Sequence, residues 1–65
     1  MRYLFTMTKT GQDYYHFFKG EDNQFRCVKS DSPDFFDSPK GSLGGYGNLN
    51  TLMTLKGVTY RDIIK

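Results

Sequence analysis

The stretches RYLFTMT (residues 2–8), DYYHFFK (13–19) and QFRCVK (24–29) follow one another in the first half of the chain, and their reading decides the fold. Each is rich in aromatic and β-branched residues, which suit a pleated, half-buried surface, and each is bounded by turn formers. Thr10-Gly11 suits the first turn because glycine accepts a positive φ, and Gly20-Glu21-Asp22-Asn23 suits the second. The expectation is a three-stranded antiparallel meander.

If those turn residues are the whole of the loops, Met7 lies opposite Tyr14, Phe5 opposite His16, Tyr3 opposite Phe18, and Phe18 opposite Phe25. One face then carries Tyr3, Phe5, Met7, Tyr14, His16, Phe18, Phe25 and Cys27, and this is the expected core. The other carries Leu4, Thr6, Tyr15, Phe17 and Val28 ringed by Arg2, Lys19, Gln24 and Arg26. A sheet with one solvated face is normally cleaner than this. Either the second face is a binding surface, or the rest of the chain covers both faces.

Residues 30–47 change character. Two Asp-Ser-Pro triplets bracket Asp34-Phe35-Phe36, and a Gly-rich run leads to Gly47, so a long loop is expected, with Ser32-Pro33 suited to start one helical turn. From Asn48 the spacing of Leu49, Leu52, Met53 and Lys56, closed by Gly57, predicts a short capped helix, although Leu49, Thr51, Met53 and Leu55 also alternate as a strand would. Residues 58–65 alternate acceptably for an edge strand, while Thr59 and Asp62 have the spacing of a capping box. The strand reading gives α+β with the order βββαβ, the helix lying on the aromatic face.

A chain of 65 residues is a single domain near the lower limit for a core without staples, and six Phe and five Tyr supply most of its apolar bulk. Nine Lys/Arg against seven Asp/Glu give +2, far from the balance that announces nucleic-acid binding by charge alone. The lone Cys27 excludes an internal disulfide, which favours a reducing, cytoplasmic setting, and no apolar run suits a signal or a membrane span.

The Gly-rich run does not continue as a phosphate loop, since Gly47 is followed by Asn48-Leu49. Asp31, Asp34 and Asp37 sit among Ser and Pro as turn carboxylates do. His16 and Cys27 fall opposite each other in the expected register, and they are the only pair that suggests a nucleophile; both point into the core, where Cys is a small hydrophobe. Neither a metal site nor a cofactor site is expected, and the chain reads as a non-enzyme.

What remains is the second face. Leu4, Tyr15 and Phe17, with Arg2, Lys19 and Arg26 at the margins, combine the aromatics and cations that interface centres favour. Phe35 and Phe36 form a candidate docking loop beside them. The expected partner is a protein or a second copy in a homodimer. Size and the lack of chemistry suit an inhibitor or accessory factor of the kind phages and other mobile elements encode. Single-stranded nucleic acid, with bases stacked on the rings, is the alternative.

Overall fold

A computed structural model of the protein describes residues 1–34 and 45–65. Strands β1 (Arg2–Thr8), β2 (Tyr14–Lys19) and β3 (Phe25–Ser30) form one antiparallel sheet in the order β1-β2-β3, followed by helix α1 (Leu49–Lys56) and a single 3₁₀ turn, Tyr60–Asp62. The meander and the helix are those the sequence predicts.

The register differs by one residue. Met7 pairs with Tyr15, Phe5 with Phe17 and Thr6 with His16, and across the second hairpin Phe18 pairs with Arg26 and Lys19 with Phe25. Both loops hold more chain than the turn residues alone, because side chains bind the backbone there. Thr8 Oγ1 donates to the Asp13 carbonyl (2.8 Å) and accepts from Gly11 N–H, while Thr10 Oγ1 accepts from Gln12 and Asp13. In the second loop Gly20 N–H bonds to the Gln24 carbonyl (2.8 Å), Asp22 Oδ1 accepts from Gln24 N–H, and Asn23 takes a φ of 62°. A Cβ on Gly20 would displace the Arg26 guanidinium and the Asp22 carboxylate that pack against it. Only Tyr3 opposite Phe18 is as expected, since an irregularity between Tyr3 and Phe5 absorbs the slip.

With period-two geometry, the one-residue slip turns β2 over relative to β1 and β3. Phe5, Met7, Tyr15, Phe17, Phe25 and Cys27 lie under the helix, where Met7, Phe17, Leu52, Met53 and Val58 form the buried core. Thr6, His16 and Phe18, on the opposite face, are buried too. Both faces of the sheet are therefore covered.

Asn48 caps α1 as expected, its Oδ1 accepting from Asn50 N–H (2.8 Å) and Thr51 N–H (3.3 Å). Gly57, at φ 73°, ends it, with Gly57 N–H bonded to the Thr54 carbonyl and Val58 N–H to that of Met53. The expected C-terminal strand does not form among the described residues. Thr59 N–H donates to the Asp62 carboxylate (3.0 Å), so the first half of the tail becomes a turn. The remainder makes an isolated bridge from Ile63 to Met7 and bonds between Thr6 and residues 64 and 65 at the edge of β1.

Candidate interaction surface

The register decides where each candidate residue lies. Phe17, expected at the centre of an exposed platform, is 0% exposed, its ring 5.4 Å from that of Phe5. Tyr15 and Leu4 are half-buried against the same core. The aromatic part of the expected contact face is thus the protein's own interior, which corrects the platform reading. Phe35 and Phe36 lie outside the described residues, as does Asp37. Ser32 Oγ accepts from Asp34 N–H (3.1 Å), and the rest of the helical turn expected from Ser32-Pro33 lies outside the described residues.

The cations separate into two groups. Arg26 grips Asp22 through two hydrogen bonds (2.8 and 3.0 Å), which hold the Asp22 carboxyl at about 2. Lys9 reaches Asp62 (3.6 Å), Lys29 reaches Asp13 (3.8 Å), and Lys65 pairs with Asp34. Arg2 and Lys19, in contrast, face each other across β1 and β2 with no carboxylate in salt-bridge range among the described residues. Lys19 Nζ stands 5.5 Å from the centre of the Phe25 ring. On the other face of the sheet at this end, Tyr3 is 43% exposed and meets Phe18 edge-on at 5.7 Å. An open groove of about 560 Å³, lined by Met1, Arg2, Lys19, Gly20, Glu21 and Asn23, lies at this end of the sheet.

The slip also separates the expected thiol pair. Cys27 is opposite Phe17 on the helix side, and His16 is opposite Val28 on the other. Burial pushes the Cys27 thiol up to about 11, partly offset by the Lys56 charge, so the reactive thiolate is scarce at neutral pH. Iodoacetamide at pH 8 should alkylate Cys27 more slowly than free cysteine, and urea should restore the ordinary rate; rapid modification of the folded protein would mean an exposed, activated thiol.

A polar chain that sequence reading missed crosses the sheet. Tyr3 Oη lies 2.5 Å from Thr6 Oγ1, Thr6 Oγ1 lies 2.8 Å from His16 Nδ1, and His16 Nε2 lies 2.7 Å from Ser30 Oγ. Ser30 donates its hydroxyl proton to the Ser32 carbonyl (2.9 Å), so the hydrogen between Ser30 and His16 is carried by Nε2, and Nδ1 accepts from Thr6. All donors then point from Tyr3 towards Ser32. A serine nucleophile requires the opposite polarity, with imidazole accepting the hydroxyl proton, so this serine–histidine contact does not activate Ser30. The available sequence signal was Thr6 and Ser30 sharing a face with His16, but it is visible only in the correct register.

Among the described residues no three His, Cys, Asp or Glu side chains gather as metal ligands, and no helix is long and apolar enough to cross a membrane. Comparison with protein-family models, with curated proteins and with solved structures finds no match to this chain.

Proposed function

We infer that the chain is a small non-enzymatic protein-binding module that engages an acidic partner surface through the Arg2–Lys19 end of its sheet. The observation that supports this is the cation pair itself. Like charges directly opposite on neighbouring strands are destabilising, and here no described carboxylate comes within salt-bridge range, although Glu21 lines the same groove. A carboxylate from a partner would turn that repulsion into attraction, while the Phe25 ring under Lys19 supplies the aromatic contact that interface centres favour.

The role fits an inhibitor or accessory factor of a mobile element in a reducing, cytoplasmic setting, the partner being another protein or a second copy of this chain. Single-stranded nucleic acid is the second reading, favoured by the exposed Tyr3 ring at the same end of the sheet as the two cations, on its other face.

Octaglutamate and oligo(dT) titrated at low salt separate the two. The protein reading expects octaglutamate to shift the Arg2 and Lys19 amides, Arg2→Glu to abolish the effect, and Tyr3→Ala to weaken it little. For oligo(dT), loss of stacking in Tyr3→Ala should cost about 1–3 kcal/mol per base. Arg2→Glu should also raise folding stability by about 0.2–1 kcal/mol, because it replaces a like-charge pair with an opposite one. Unchanged octaglutamate binding by Arg2→Glu, or a fall in stability, overturns the assignment.

A further inference from the structure

Among the described residues, none pairs with the outer edge of β3 over residues 27–29. Phe25 exchanges two backbone bonds with Tyr46, its N–H to the Tyr46 carbonyl at 2.7 Å and the reverse at 2.9 Å, so the Phe25 backbone groups point away from β2. The direction alternates along an antiparallel ladder. Arg26, Val28 and Ser30 therefore bond to β2, while Cys27 and Lys29 turn their N–H and C=O groups outward, where no described backbone or side-chain group meets them. At the opposite edge Thr6 makes the equivalent outward bonds to residues 64 and 65.

We propose that this edge takes up an extended acidic segment of a partner protein as an added strand. Main-chain bonds hold such a segment, and alternate side chains give selectivity. On the helix side of the edge lie Cys27 and Lys29, and the Lys56 ammonium acts on the Cys27 thiol from the end of α1. Lys56 has no carboxylate in salt-bridge range among the described residues, and the Lys29–Asp13 contact is long (3.8 Å) and exposed, hence easily exchanged. Carboxylates on the helix side of the added strand meet these two ammonium groups. On the other side the neighbour is Val28, which favours an apolar residue. The sequence that fits alternates acidic with β-branched residues.

A second copy fits poorly. Helix α1 lies closest to β3, the edge strand. Antiparallel pairing of two β3 edges would set both helices on one face over strands about 4.8 Å apart, whereas packed helices need about 8–10 Å. This site is separate from the Arg2–Lys19 end, and the two readings fail independently.

The test is made on the whole chain by NMR. In the free protein the Cys27 and Lys29 amides should exchange with solvent much faster than those of Arg26, Val28 and Ser30. A hexapeptide of alternating Val and Glu, at millimolar concentration, should shift Cys27 and Lys29 and slow their exchange, whereas its Val/Lys counterpart should not. Lys29→Pro removes one outward N–H and one charge without touching the bonds to β2, so the fold should persist while affinity falls about tenfold or more. Lys29→Gln tests the charge with the backbone intact and should weaken binding less. Slow exchange at residues 27 and 29 in the free protein would mean that the chain fills this edge itself, and would overturn the proposal. Equal binding of the Val/Lys peptide, no shift at either amide, or concentration-dependent dimerisation through this edge would overturn it too.

Discussion

Phe17→Ala should leave much of the protein unfolded at room temperature, with a loss of about 3–5 kcal/mol measured by urea denaturation. The ring is fully enclosed on the central strand and belongs to the cluster of Met7, Leu52, Met53 and Val58. Truncation removes the apolar area and leaves a cavity that these four residues, drawn from the sheet, the helix and the segment after it, close only by moving together. In a domain of this length a single core contributes little more than about 3–5 kcal/mol in all, so the substitution removes most of the stability. A contact residue behaves differently: its loss weakens binding and leaves the denaturation midpoint almost unchanged. A stability change below about 0.5 kcal/mol would return Phe17 to the surface and restore the register read from the turn residues.

The strands and the helix were legible in the sequence because each rests on a local signal. Aromatic and β-branched runs mark β1 to β3, and Asn48 and Gly57 mark the two ends of α1. The pairing was not legible, because it depends on how much chain each loop holds. Thr8, Thr10 and Asp22 bind loop backbone with their side chains and lengthen both connections, and a slip of one residue moved Tyr15 and Phe17 from the expected surface to the core. Aromatics on both sides of β2 left either alignment consistent with a buried face, so composition did not arbitrate. The tail failed for a related reason. Its alternation suits a strand, but the Thr59–Asp62 turn forms from nearer neighbours and leaves only residues 63–65 to reach β1. Of the expected contact residues, Arg2 is exposed and Lys19 half-buried, and they face each other in either register, since long charged side chains at a sheet end can lay their stems on the sheet and keep their heads in water.

Lowering the pH from 7.5 to 4.5 should destabilise the fold through His16. The ring is fully buried in the polar chain, and burial lowers its pKa from 6.5; the Ser32 carbonyl raises it in part and the Lys65 ammonium lowers it further. The unfolded chain therefore takes up the proton first. Stability is complete above about 6.5 and falls as the pH drops towards the lowered native value, at up to about 1.4 kcal/mol per pH unit, and levels off below it. The geometry gives the same sign. A proton on Nδ1 faces Thr6 Oγ1, which must then turn its own hydrogen towards Tyr3 Oη, and Tyr3 must release its hydrogen to solvent, reversing that half of the chain. Asp22 titrates in a separate window, because its native value of about 2 places its contribution below the ordinary carboxylate range, where it is lost only as the pH falls under about 4. Urea midpoints across pH 7.5 to 4.5 should therefore decline in the native protein and flatten in His16→Gln, and the His16 ring resonances should titrate with a midpoint below 6.5. A midpoint above 6.5, or stability that rises on acidification, would mean that the imidazole is held as a cation, with Thr6 accepting from it rather than donating to it.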